Sequence, residues 1–321
     1  MFGVNDMTIN KKKDTHTAKG SVSGKLNLKR DWQLYVLLLV PLAYFIVFKY
    51  IPMGGAVVAF KDYNIFDGIL KSKWAGFDVF KQILDMNDFY KALRNTLVLN
   101  FLDLIFSFPA PIILALCLNE MRSVKLKRMS QTLLYLPHFM SWVIIGGIAY
   151  QLFAANTGVV NKIIVSMGGT SIPFLNNKWY WLVTYLVTGI WQSAGWNTII
   201  YLAAITGVDP NLYEAAEVDG AGRITKILKI TLPSIRPTII VLLIMKIGHM
   251  MSIGFERPFV MGNTLVTDFS DVISTFVYRI GLQSGQFNVA TAVGLFQSVV
   301  GLLLIVVANT IANKFGENGI W

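Results

Sequence analysis

Polar and ionisable side chains stand inside long apolar runs of this sequence: Gln192 and Asn197, then Lys246 and His249 three residues apart, then Glu256. Such groups are costly at membrane depth, so they face a water-filled cavity or a partner side chain. The three-residue spacing puts Lys246 and His249 on one helix face. Trp191 and Trp196 flank the two amides, and aromatic rings suit the C–H faces of sugars as amides suit their hydroxyls. These seven residues are the candidates to line a translocation path. The alternative readings are ordinary: Lys246 pairing with an acid on another subunit, and the tryptophans as packing residues.

Covalent chemistry is not signalled. His16, His138 and His249 have no zinc-type spacing, and neither a G-x-S-x-G elbow nor a Walker-type nucleotide loop occurs. No catalytic and no metal-ligating residue is assigned. Cys117, the single cysteine, excludes an internal disulfide and reads as a small packing residue. Asp103 reads as a structural hydrogen-bonding group, and His138, next to Pro137, as a partner for a carbonyl that proline frees.

Between two apolar segments lies a charged island, Glu214 to Pro233, holding Glu214, Glu217, Asp219, Arg223, Lys226 and Lys229. Each such charge would cost roughly 2.5–3.5 kcal/mol at the centre of a bilayer, so the island lies outside the hydrocarbon. Asp209-Pro210 is a helix start, a carboxylate cap followed by a ring suited to the first turn. The spacing predicts a helix over Asn211 to Asp219, a turn at Gly220 and Gly222, and a second short amphipathic helix stopped by Leu232-Pro233. Small Ala215 and Ala216 would let a partner approach closely. The pair of helices reads as a docking knob at a membrane face.

Glu214, Ala215, Ala216, Gly220, Ile230, Leu232 and Pro233, at this spacing, resemble the EAA loop of bacterial ABC importer permeases. The resemblance extends over about residues 30–321 to the shorter first permease of maltose-type oligosaccharide importers. It is carried there by Val58 to Tyr63, Asn95-Thr96-Leu97, Tyr135 to Phe139, Gly254-Phe255-Glu256, Ile273-Ser274-Thr275 with Tyr278, and Gly319-Ile320-Trp321. It implies that the loop is a cytoplasmic coupling helix seated in a cleft of an ATPase, with Glu214 as polar anchor and Gly220 as the turn. It implies a heterodimer with a second related permease, two ATPase subunits that hold the ATP and Mg, and an extracytoplasmic solute-binding protein that delivers an oligosaccharide. The chain itself would be neither an enzyme nor a cofactor carrier. The loop is shared across substrate types, so a non-sugar solute is the first alternative. An ion-coupled secondary transporter using Lys246, His249 and Glu256, and a membrane-embedded enzyme, are the others.

The elements that must position these residues follow from hydropathy. The 321 residues are 54% hydrophobic and 14% charged, with a mean hydropathy of +0.55. Several runs reach the roughly 20 residues that a spanning helix needs. The expected fold is all-α and polytopic. A polar tail, 1–31, precedes a permease domain, 32–321, with six spans at about 32–53, 95–118, 130–153, 179–206, 238–260 and 288–312. The loop, 207–237, joins spans four and five. Prolines 109 and 111 are expected to bend the second span, and the stretch from Phe77 to Leu93 to lie as a helix along the outer surface.

A net charge of +10 invites a nucleic-acid reading, but the distribution argues otherwise. Sixteen of the 28 Lys and Arg fall on one side of the alternation: the tail, the turn near 120–128, the loop and the extreme C-terminus. The positive-inside bias makes that side cytoplasmic, with both termini there and the chain in the bacterial cell membrane, contacting lipid and no nucleic acid.

Overall fold

The computed structural model describes residues 32–316, 319 and 320. The polar tail at 1–31, Arg30 and Trp321 lie outside the described residues. Among the described residues, 32–54 and those from Gly55 onward form two separate compact units. In the first, residues 32–53 are helical, and none of them is buried.

Besides the single turns Gly68–Lys71 and Thr267–Ser270, the helices are α1 (Trp32–Phe60), α2 (Asp78–Leu84), α3 (Asn87–Asn119), α4 (Val124–Phe139), α5 (Trp142–Phe153), α6 (Val159–Ser166), α7 (Lys178–Thr206), α8 (Pro210–Val218), α9 (Arg223–Gly248), α10 (Glu256–Met261), α11 (Ile273–Val277) and α12 (Phe287–Lys314). A two-stranded hairpin, β1 (Lys61–Asp62) against β2 (Lys73–Trp74), is the one departure from the helical class among the described residues.

By length and composition, four helices among the described residues can cross a membrane: α1, α3, α9 and α12. Counted as one broken span, α4 and α5 make a fifth. Helix α7 runs for 29 residues, but its Trp, Tyr, Gln and Asn content keeps it out of that set. Its Ser and Thr hydroxyls are satisfied within the helix. Thr184, Thr188, Ser193 and Thr198 each donate to the carbonyl four residues back, at 2.7–2.9 Å.

Several boundaries differ from the sequence reading. The expected surface helix from Phe77 to Leu93 is two elements. Helix α2 buries Val79 and Ile83, and α3 begins at Asn87, ahead of the expected 95. Within α3 a π-turn at Asp103–Ser107 precedes Pro109, a widened turn next to the prolines. The third apolar stretch turns by 103° between α4 and α5. Pro137 ends regular bonding there, and Ser141 restarts it by accepting the Ile144 N–H at 3.4 Å.

The largest revision concerns α9. Leu232-Pro233 does not stop a short helix: Arg223–Gly248 is continuous over 26 residues, about 39 Å. A π-turn at Ile227–Thr231 comes just before Pro233, and widened bonding at that turn lets the helix run through the ring. The loop therefore ends near Gly222, and Ile230, Leu232 and Pro233 belong to the base of the long helix. At its other end α9 finishes at Gly248, short of the expected 260, and Glu256 belongs to the separate helix α10.

Three apolar clusters hold the second unit together. One joins α2 and α3 to α11 and α12 through Phe89, Phe276 and Val289. Another joins α3, α5, α7 and α10 through Leu99, Ala149, Trp181 and Met261. The third joins the ends of α3 and α7 to α9 through Leu118, Tyr201 and Ile235. Polar ties fix the register. Asn95 donates to the Asp271 carbonyl at 2.8 Å, and Thr96 accepts the Ile273 N–H at 2.9 Å, so two stretches far apart in sequence meet. At the other end of the chain, the Ile320 N–H donates to Asn309 Oδ1 at 2.7 Å.

Candidate functional site

Two features carry polar chemistry, and α9 connects them. The first is α8. Its start is capped as expected, Asp209 Oδ1 accepting the Asn211 N–H at 3.0 Å. Its end is a Schellman turn. The Gly220 N–H donates to the Glu217 carbonyl at 3.0 Å and the Ala221 N–H to the Ala216 carbonyl at 2.8 Å, with Gly220 at φ +75°. A side chain there would be strained, which is the physical reason for glycine.

Between these caps Glu214 and Ala215 are exposed and Ala216 is half-buried, with Leu212 and Val218 also open to the outside. Two bonds pin α8 to the base of α9. The Tyr213 hydroxyl lies 2.9 Å from the Thr231 hydroxyl, and Lys226 donates to Glu217 at 2.6 Å. The Lys226 ammonium holds the Glu217 carboxyl below the usual carboxylate range.

The second feature is a cavity of about 680 Å³ between α3, α7, α9 and the segment after it. Gln192, Asn197, Lys246, His249 and Glu256 all line it. Trp191 and Trp196 lie outside it. Trp196 is occupied elsewhere, stacked on the His138 ring at 4.7 Å with 4° between planes. His138 is correspondingly not the carbonyl partner expected beside Pro137, since its Nδ1 has no hydrogen bond. Cys117 is free and exposed rather than packed.

Asp103 and Arg257 also line the cavity, and sequence reasoning did not pair them. Arg257 Nη1 donates to Asp103 Oδ2 at 3.0 Å, with both side chains nearly buried. Arg257 Nη2 donates to the Tyr185 carbonyl at 2.6 Å, and the guanidinium lies 3.7 Å from the Tyr185 ring centre. Ser107 donates to the other Asp103 oxygen at 2.9 Å. A Cβ at position 189 would overlap the guanidinium, so Gly189 makes the room for it. One ion pair thus locks α10 to α3 and α7 at the cavity wall.

The break after α9 is also tied down. Asn100 donates to the Met250 carbonyl at 2.8 Å and Gln297 to the Met251 carbonyl at 2.6 Å. Irregular backbone is tolerated at membrane depth where protein satisfies its polar groups and it borders a cavity, as here. No group of three or more His, Cys, Asp or Glu among the described residues is placed to hold a metal ion. The amides of Gln192 and Asn197, the Lys246 ammonium and the His249 imidazole along one cavity suit the reversible binding of a polar solute.

Comparison with known proteins gives the family. Protein LplB of Bacillus subtilis is 48% identical over 316 residues, 98% of this chain and 99% of its own length. The polygalacturonan/rhamnogalacturonan transport system permease protein YteP of the same organism is 48% identical over 296 residues, 92% of each chain. Among solved structures, a chain of a bacterial alginate ABC transporter, in complex with an alginate pentasaccharide-bound periplasmic protein, superposes with a TM-score of 0.83 at 41% identity. That match covers 91% of this chain and 98% of the other. Residues 89–316, which include both features, match the family described as binding-protein-dependent transport system inner membrane component. The protein is therefore a multi-pass membrane permease of that family, a transport subunit of an ABC importer and not itself an enzyme.

Proposed function

We propose that the chain forms half of a path for oligosaccharides and is driven by ATP through α8. In this reading α1, α3, the broken pair α4–α5, α7, α9 and α12 are six spans, with both termini and α8 in the cytoplasm. A second related permease completes the path. Two ATPase subunits, which bind the ATP and Mg, receive Glu214, Ala215 and Ala216 of α8 and its counterpart, and a solute-binding protein delivers the sugar outside.

The observation that carries the proposal is the continuity from α8 to the cavity. Helix α8 is pinned at Tyr213 and Glu217 to the base of a single helix whose last turn places Lys246 at the cavity wall. A push on α8 is a push on α9, which alters the cavity 39 Å away, by about the length of the helix. Such bistable movement of a packed element is how closure at one site opens another. A saccharide cargo is supported by the amides of Gln192 and Asn197 and by the relatives named above, whose polygalacturonan and alginate are polyuronates.

The test is uptake into proteoliposomes containing both permeases and the ATPase, with loaded binding protein present. Uptake that requires ATP and persists without an ion gradient is expected. Uptake driven by an ion gradient in the absence of ATPase would overturn the proposal.

A further inference from the structure

Five ionisable side chains line the cavity: Asp103, Lys246, His249, Glu256 and Arg257. Asp103 and Arg257 neutralise each other in the wall. His249 Nδ1 is engaged with the Met245 carbonyl at 2.8 Å, which leaves Nε2 for a ligand. Glu256 is exposed and Lys246 is not. It is half-buried in the last turn of α9, and among the described residues it has no hydrogen-bonding or ion-pair partner. A cation half-withdrawn from water at membrane depth favours an anion against it.

We propose that Lys246 is the residue that selects carboxylate-bearing saccharides, holding a uronate carboxylate against its ammonium. His249 Nε2 and the amides of Gln192 and Asn197 take the neighbouring hydroxyls. The proposal rests on the cavity being a saccharide path. Glu256 has the complementary task. Besides His249 the lining carries two acids and two bases, so an anion is attracted locally without meeting a strongly positive cavity that would trap it. Transport needs binding strong enough to enter and weak enough to leave.

The experiment compares a trigalacturonate with its methyl ester, the same length without the charge, in proteoliposomes of the complete importer with loaded binding protein. For Lys246→Gln, the apparent KM for the acid is expected to rise about tenfold or more, as for loss of one partner of a desolvated charge pair, while Lys246→Arg restores it. Lys246→Gln is expected to raise the KM for the ester far less than that for the acid. Glu256→Gln is expected to lower the KM for the acid several-fold and to slow its release, and this variant keeps the test alive should Lys246→Gln fail to assemble. Wild-type KM for the acid in Lys246→Gln, or no change in Glu256→Gln, would overturn the proposal. Transport of neutral sugars only, by the wild type, would overturn the selectivity and leave the saccharide path standing. Transport of no saccharide at all would overturn both.

Discussion

The hydroxyl of Tyr213 and the hydroxyl of Thr231 lie 2.9 Å apart, joining the middle of α8 to the π-turn at the base of α9. The bond crosses from the element that would meet an ATPase to the element that reaches the cavity. A net hydrogen bond is worth about 0.5–1.5 kcal/mol, or roughly two- to tenfold in a coupling equilibrium. Tyr213→Phe and Thr231→Val are each expected to lower binding-protein-stimulated ATPase by about that factor while unstimulated hydrolysis persists. The double variant should be no worse than the worse single one. Additive losses in a double-mutant cycle would show that the two hydroxyls act independently.

Gly220 occupies the left-handed position of the Schellman turn at φ +75°. A β-branched side chain there costs about 1–2 kcal/mol or more, and asparagine less. Gly220→Val is expected to abolish uptake with membrane insertion intact, and Gly220→Asn to retain part of it. Equal uptake by all three proteins would remove the turn from the mechanism.

Breaking the Asp103–Arg257 pair from either side leaves a nearly buried charge alone. Single removals from such pairs cost about 3–5 kcal/mol, whereas replacing both partners by apolar groups is far milder. Asp103→Leu and Arg257→Met are each expected to depress the thermal midpoint of the detergent-solubilised protein sharply, and the double variant to recover most of it. Gly189→Val should resemble Arg257→Met, because its side chain takes the guanidinium's place. Recovery absent in the double variant would mean that the two residues are needed separately.

The Glu217–Lys226 bond is exposed on its acidic side, and its effect is correspondingly small and screened by salt. The folded carboxyl titrates below its ordinary value of 4.5, so the contribution is fully present above that value and is lost as pH falls through the lowered one. Coupling in the wild type and in Glu217→Gln should therefore differ by less than about twofold, with a constant ratio between about pH 6 and 8, shrinking at high salt. A ratio that changes over that pH range would assign the dependence to another group.

Local chemistry was legible in the sequence where it was local in cause. Asp209 and Gly220 announced the two ends of α8, and five of the seven candidate path residues line one cavity because polar groups in apolar helices converge on it. What escaped was long-range or depended on context. Pro233 read as a stop, but the preceding π-turn accommodates it, so loop and span are one helix. The run from 130 to 153 is apolar on average, and hydropathy alone does not register a right-angle turn at Pro137–Ser141. Asp103 and Arg257 are 154 residues apart, with nothing local to either that names the other. Trp196 faced two possible partners, a sugar or a neighbouring ring, and the fold supplies the ring of His138.

The central claim is that α8 transmits ATPase closure to the cavity through α9. It is tested most directly by ATPase activity of the purified importer in lipid, with and without saccharide-loaded binding protein, for the wild type and Gly220→Val. Strong stimulation is expected in the wild type and none in the variant, with the ATPase still associated. Stimulation unchanged in the variant, or a purified permease that never binds an ATPase, would contradict it.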